Sequence, residues 1–290
     1  MRLTIPEEEL ITPGHKACQG CAGALAMRYA LKALGDKTIV VIPACCWTVL
    51  EGEFPYTCMK VPLLHTAFET AASASSGVRA AMRAKGRDDV NVVAWAGDGG
   101  TFDIGLQALS GAVERNEDFF YICYDNEGYM NTGIQRSSST PFGAWTTTTP
   151  VEAFESSHKK NIMEIMVAHD IPYAATACIA YPEDLVKKML KAKDIRGSKF
   201  IHILAPCSPG WRFPTSQTIK ISRLAVETHI FPLYEVENGK YIISRKPKKK
   251  PIREYMELQG RFKHLSDEII DVIQAKVDSD WVKLLKKEED

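Results

Sequence analysis

Short runs of consecutive apolar residues alternate along the chain with segments whose apolar positions recur every three to four residues. The runs lie at 38–42, 90–96, 119–124, 173–179 and 199–205, and the helical patterns at 22–34, 67–85, 103–115, 161–169 and 182–193. Unbroken apolar runs of that length suit strands buried on both faces. Strand and helix alternating over nearly 200 residues predict an α/β fold, a doubly wound, mostly parallel sheet with helices on both faces. After it, FPLYEVENGKYIISR predicts a hairpin turning at Asn238-Gly239. Residues 252–288 read as helices, with Leu265, Ile269, Val272, Ile273, Val277 and Trp281 at helical spacing, Ser266 as N-cap, and Asp267 and Glu268 in the first turn. We expect an α/β domain over 1–240 and, over 241–290, a basic linker and helical tail packing on the core or on a partner chain. The run KPKKKP, 246–251, reads as a solvated linker or as a surface for an acidic partner.

Composition narrows the class. The chain has 290 residues, 45% hydrophobic and 25% charged, ordinary globular values. Lysine plus arginine equals aspartate plus glutamate, 36 each, so no net field points to nucleic acid or an anionic membrane. The opening MRLTIPEEELI has no apolar signal core, and no apolar run nears the roughly 20 residues of a membrane span. We expect a cytoplasmic protein. In that reducing compartment the eight cysteines are not a disulfide framework and need another role.

The candidate chemistry lies in residues 90–133, VNVVAWAGDGGTFDIGLQALSGAVERNEDFFYICYDNEGYMNTG. One apolar run breaks at Gly97-Asp98-Gly99, an amphipathic segment follows, and the next run ends at Asp125-Asn126. In a parallel sheet both strand ends open on the same crevice. Asp98 and Asn126 thereby place two oxygen ligands side by side, with glycines permitting close backbone approach. Mg2+ takes near-octahedral oxygens at about 2.0–2.1 Å, one or two of them from protein and the rest from phosphates and water. The pattern reads as a diphosphate-anchoring Mg2+ site. The long connection at 127–160, rich in Gly, Ser, Thr and Pro, starts at that strand end and reads as the active-site loop.

Cys123 and Cys178 fall in strand-like runs and read as small buried apolar residues. Cys18 and Cys21 form a C-x-x-C pair just before a helical pattern, which suits zinc, a redox pair or an iron–sulfur cluster alike. Cys45-Cys46 and Cys207 each follow a strand. These three segments can share one rim.

The GDG…N spacing resembles the thiamine diphosphate (TPP) motif, in which Asp98 matches the metal-binding Asp, Asn126 the metal-binding Asn, and Gly128 the residue whose carbonyl completes the set. GHKACQGCAG near the start, a cysteine after the first strand, GDG…DIG…N…NTG and a late PC narrow the resemblance. Over roughly residues 12–215 the chain resembles the TPP-binding (β) subunit of the 2-oxoacid:ferredoxin oxidoreductases, with the pyruvate enzyme the best fit. The resemblance implies a [4Fe–4S] cluster held by Cys18, Cys21, Cys46 and Cys207. Adjacent Cys45 competes for the third place, and Cys58 is an outside candidate. It also matches Asn131 to an Asn near the reacting carbon, and Gly97 and Gly99 to the glycines of the cofactor motif; His65, just before a helical pattern, is expected to line the cofactor cleft. His15 lies beside the cluster cysteines or only shapes their loop.

The resemblance further implies oxidative decarboxylation of a 2-oxoacid with coenzyme A, electrons leaving through the cluster to ferredoxin. It also implies that the activating Glu for TPP comes from a separate subunit or domain; the expected partners are an α-type subunit completing the active site, a coenzyme A-related subunit and, because this chain has no closely spaced C-x-x-C-x-x-C run, a ferredoxin-like subunit. Two other classes stay open: a non-redox TPP decarboxylase or carboligase, and a zinc-stapled, non-catalytic assembly subunit.

Overall fold

The computed structural model describes residues 4–53 and 55–289. Six strands run parallel: β1 (Thr38–Pro43), β2 (Leu63–Thr66), β3 (Asn91–Gly97), β4 (Phe120–Asp125), β5 (Tyr173–Cys178) and β6 (Lys199–Leu204). An antiparallel hairpin, β7 (Tyr234–Glu237) and β8 (Lys240–Ile243), extends the sheet beside β5. The order across the sheet is β2-β1-β3-β4-β6-β5-β7-β8.

Alternate residues of each strand serve opposite faces. Val93, Trp95, Ile122 and Ile201 meet α1 (Ala22–Leu34) and α6 (Pro182–Lys193) in one core. Val92, Ala94, Tyr121 and Phe200 meet α3 (Ala71–Ala84), α4 (Leu106–Glu114) and α5 (Ile162–Val167) in the other. Residues such as Leu31 and Met189, at 1% and 0% exposure, each contribute roughly 1.5–3 kcal/mol by leaving water. This is the doubly wound, mostly parallel α/β fold that the hydrophobic pattern predicts. Cys123 and Cys178 are fully buried strand residues, and the α1 and α6 bounds match their patterns.

Three segments differ from the sequence reading. Residues 63–66 form the edge strand β2, and α3 starts only at Ala71. The pattern at 103–115 becomes helix only from Leu106, as α4, behind a π-helical turn at Gly99–Asp103. Position 105 at the break admits only glycine, because a Cβ there would lie 2.0 Å from the Gly100 carbonyl oxygen. A helix at Thr218–Glu227 (α8), which the pattern did not mark, buries Ile221 and Ala225.

The hairpin turns where expected, with Asn238 and Gly239 at φ 48° and 82°, both in the left-handed region a two-residue turn requires. The tail packs on its own chain. It comprises α9 (Ile252–Met256), a 3-10 turn (Gly260–Phe262) and α10 (Asp267–Glu289). Ile273 and Val277 of the expected stripe are buried, but Val272 is 56% exposed and Ile270 and Leu284 are buried instead. Three of the four lysines of the basic run pair within the chain: Lys246 with Glu288, Lys249 with Asp278 and Lys250 with Glu227, at 2.5, 2.6 and 2.9 Å. Half-exposed pairs of this kind each contribute at most about 1 kcal/mol.

Candidate active site

β2 lies on one side of β1 and β3 on the other, so the winding reverses between β1 and β3. Carboxyl ends at such a reversal are where open α/β sheets bind ligands. Asp98 follows β3, Asn126 follows β4, Cys45-Cys46 follow β1, and Cys207 lies just past β6. All the strand-end candidates therefore share one rim.

Asp98 is 1% exposed and Asn126 8%. One end of the Asn126 carboxamide faces Asp98 Oδ1 and the Gly128 carbonyl oxygen, 2.9 Å from each. With its nitrogen there, the amide donates to both; with its oxygen there, three oxygens converge. A metal–oxygen length of about 2.0–2.1 Å puts adjacent octahedral ligands about 2.9 Å apart, so these residues fit Mg2+. Burial, and then the nearby Asp125, push the Asp98 carboxyl well above the usual carboxylate range. A divalent cation would offset both effects.

The loop at 127–160 folds back over this point. Ser137 Oγ donates to Asp98 Oδ2, and Tyr129 donates to Asp103 Oδ2 at 2.7 Å. Asp125 accepts from Ser139 Oγ at 2.7 Å and is flanked by Lys159 and by His202 Nε2, the latter at 2.7 Å. Burial opposes ionisation of Asp125, but Lys159 and His202 overcome it and hold the carboxyl well below its usual range. Gly99 has a packing reason to be glycine: a Cβ would lie 2.2 Å from the Tyr129 ring. A Cβ on Gly97 would lie 3.3 Å from the Tyr124 hydroxyl.

Asn131 is exposed in the turn after Met130, and no hydrogen bond ties it to Asp98 or Asn126. His65 stands two strands from β3, its Nε2 2.7 Å from Glu51 Oε1. Glu51 is 3% exposed and also accepts from Thr57 Oγ1 at 2.8 Å. The sequence reading missed this buried carboxylate, whose only signal was a Glu among the apolar residues after Cys46. His15 shapes its own loop, its Nδ1 accepting from Ala17 N at 3.3 Å.

The C-x-x-C loop docks against the Cys207 region. Ser208 Oγ donates to the Gln19 carbonyl at 3.2 Å and Thr218 Oγ1 to that of Gly20 at 2.8 Å. Gly20 has φ +73°, and a Cβ there would meet Thr215 O at 2.6 Å. Burial, then neighbouring Cys21 and Cys18, push the Cys207 thiol up to about 12. Burial also raises Cys46, together with Cys45, Cys207, Cys21 and Asp98. Cys18, Cys21, Cys46 and Cys207 thus lie within one electrostatic neighbourhood, where a cationic centre would favour thiolates. Cys45 is engaged elsewhere, capping α2 (Cys46–Leu50) and bonding the Tyr124 hydroxyl. Cys58 is 4% exposed and sits near Glu51. Among the described residues, no three His, Cys, Asp or Glu side chains converge as a single ion would require. Met130, also missed in the sequence, links the two regions: a Cβ on Gly210 would lie 2.2 Å from its Sδ and 3.4 Å from Cys207 Sγ.

Known proteins share this chain's sequence and fold. Residues 45–203 match the thiamine pyrophosphate enzyme C-terminal TPP binding domain. Ketoisovalerate oxidoreductase subunit VorB of Pyrococcus abyssi is 57% identical, over 98% of this chain and 95% of its own. Pyruvate synthase subunit PorB of Methanothermobacter thermautotrophicus is 53% identical, over 96% and 98%. The solved 2-oxoglutarate:ferredoxin oxidoreductase from Magnetococcus marinus has the same fold, with a TM-score of 0.61 at 18% identity over 93% of this chain and 97% of that one. The chain belongs to the β subunits of the 2-oxoacid:ferredoxin oxidoreductases, and carries their TPP-binding domain.

Proposed function

We propose that this subunit anchors TPP through Mg2+ held by Asp98, Asn126 and the Gly128 carbonyl, and holds a [4Fe–4S] cluster through Cys18, Cys21, Cys46 and Cys207. With its partner subunits it oxidatively decarboxylates a 2-oxoacid, giving acyl-coenzyme A, CO2 and two electrons for ferredoxin. The observation that carries the reading is the buried Asn126 carboxamide, one end of which stands 2.9 Å from both Asp98 Oδ1 and the Gly128 carbonyl oxygen. Bound TPP supplies the electron sink for decarboxylation. Ser137 orients the Asp98 carboxylate, and the 127–160 loop screens the anchor from water. Asn131, exposed on that loop, is the residue we assign to substrate rather than to metal. Gly97 and Gly99 shape the turn against Tyr124 and Tyr129, and His65, oriented by Glu51, lines the cleft.

Partners follow from the chemistry. An α-type subunit supplies the carboxylate that activates TPP, a coenzyme A-related subunit the acyl acceptor, and a ferredoxin-like subunit the outgoing clusters. Relatives named as subunits support the presence of partner subunits. We place the protein in the cytoplasm; among the described residues, no helix is long and apolar enough to cross a membrane.

Pyruvate is the proposed substrate. A branched-chain 2-oxoacid is the second reading, favoured by 57% identity to the Pyrococcus abyssi ketoisovalerate subunit against 53% to the Methanothermobacter thermautotrophicus pyruvate subunit. The test is anaerobic purification of the complex and a panel of pyruvate, 2-oxoisovalerate and 2-oxoglutarate, with and without coenzyme A, reading viologen or ferredoxin reduction. Reduction that depends on a 2-oxoacid and coenzyme A supports the reading. A non-redox decarboxylase would release aldehyde and carry no iron or sulfide, and a zinc-stapled assembly subunit would bind no TPP. Turnover by this chain alone would sink the shared active site.

A further inference from the structure

Glu127 stands between Asn126 and Gly128 with φ +64°, a left-handed conformation that costs a glutamate roughly 1–3 kcal/mol. It is 7% exposed. Its carboxylate accepts from Arg261 Nη2 at 2.6 Å and from Lys159 Nζ at 3.1 Å. Arg261 comes from the 3-10 turn of the tail and is itself 2% exposed. Its guanidinium lies 3.8 Å over the Trp211 ring, and Trp211 Nε1 donates to the Asn126 carbonyl at 2.7 Å. One buried guanidinium therefore reaches both sides of the strained residue, through Glu127 directly and through Trp211 to Asn126. The tail segment is fixed in turn: Trp145 N donates to Arg261 O at 2.9 Å and Gly260 N to Arg212 O at 3.0 Å. Arg261 Nε donates to Gln259 Oε1 at 2.9 Å.

Stability alone is a poor account of this pair, since replacing a buried ion pair by well-packed apolar residues is often neutral or stabilising. Its place beside two expected ligands gives it a second use. We propose that Arg261 is a positioning residue that holds the 126–128 turn, through Glu127 and Trp211, so that Asn126 and the Gly128 carbonyl meet Asp98 as a preformed Mg2+ site. This rests on the metal assignment proposed above. The C-terminal tail is then part of the cofactor anchor, although it lies far from Asp98 in sequence.

The test uses the complete complex carrying wild-type chain, Arg261→Met, Arg261→Lys or Ile252→Ala, with Mg2+ titrated at fixed TPP by calorimetry and thermal unfolding recorded alongside. Ile252, 1% exposed in α9, serves as an uncharged packing control within the same C-terminal core. Arg261→Met should raise the half-saturating Mg2+ concentration by about 10–100-fold, the range typical of groups that orient metal ligands. Arg261→Lys keeps the charge but loses the planar stack, so it should weaken binding less, by several-fold. Ile252→Ala should lower the melting temperature and leave Mg2+ affinity as in wild type. The inference is overturned if Arg261→Met binds Mg2+ within about twofold of wild type, or if Ile252→Ala weakens it equally. If Arg261→Met does not fold, wild-type affinity in Arg261→Lys overturns it. Absence of Mg2+-dependent TPP binding in the wild-type complex would instead remove the metal assignment, and this inference with it.

Discussion

Tyr129 donates its hydroxyl to Asp103 Oδ2 at 2.7 Å, and its ring occupies the space where a side chain on Gly99 would stand. The active-site loop is thereby latched onto the turn that carries Asp98. Gly99→Ala should force the ring out and cost about 1–3 kcal/mol, as overpacking does. Tyr129→Phe keeps the ring and should cost only about 0.5–1.5 kcal/mol. Denaturant unfolding of the two variants checks the order; a Gly99→Ala variant as stable as wild type would show that the latch is not built this way.

Asp98 is a buried carboxylate whose ionisation is disfavoured by burial and by Asp125. Asp98→Asn should therefore raise the melting temperature without metal, yet lose the further rise that Mg2+ plus TPP gives the wild type. Asn126→Ala should lose the same rise while far-UV circular dichroism stays unchanged. Calorimetric TPP affinity close to wild type in Asp98→Asn would refute the assignment.

The cysteine doublet separates by environment. Cys46→Ser, Cys18→Ser and Cys21→Ser should lose iron, the broad visible absorption and the reduced-state EPR signal while retaining TPP binding. Cys45→Ser should keep the cluster and lose only local order, because Cys45 caps α2 and bonds Tyr124. Cys123→Ser and Cys178→Ser should cost stability alone. Iron that survives Cys46→Ser and falls with Cys45→Ser reverses the ligand choice, and zinc without iron in the wild type ends the cluster reading.

Arg28 grips Glu9 with both arms, at 2.6 and 2.8 Å, and Lys32 adds a contact at 2.7 Å. These bonds, Arg28 first, hold the Glu9 carboxyl down at about 2 against an ordinary 4.5. A depressed carboxylate stabilises the fold above its unfolded value, and that contribution is lost as pH falls from about 4.5 through about 2. Glu9 is partly exposed, so screening keeps the effect small. Glu9→Gln should lower the thermal midpoint slightly at neutral pH, leave it unchanged below about 2, and so flatten its fall over that window. Parallel midpoint curves for the two proteins would show no such contribution.

Local periodicity made most of the sheet legible. The runs that became β1, β3, β4, β5 and β6 are apolar because both their faces are covered, and that need is written residue by residue. The hairpin was legible because its turn demands Asn-Gly. Asp98 and Asn126 could be placed on one rim because parallel strands end at the same edge of a sheet. β2 was not legible: its four residues become a strand only by pairing with β1. The tail's apolar stripe was read through Val272, yet Ile270 is the buried neighbour, since only the surface beneath α10 decides which side of the helix faces inward. The pairing of Glu51 with His65 and of Arg261 with Glu127 carries no mark in the chain. The sequence by itself determined the elements and the strand ends at which the candidate ligands stand, because those depend on neighbours a few residues away. Tertiary structure alone decided which buried charges meet, because the partner of a buried carboxylate is set by the closing of segments distant along the chain, and a desolvated charge is tolerated only where that closing brings its counter-ion.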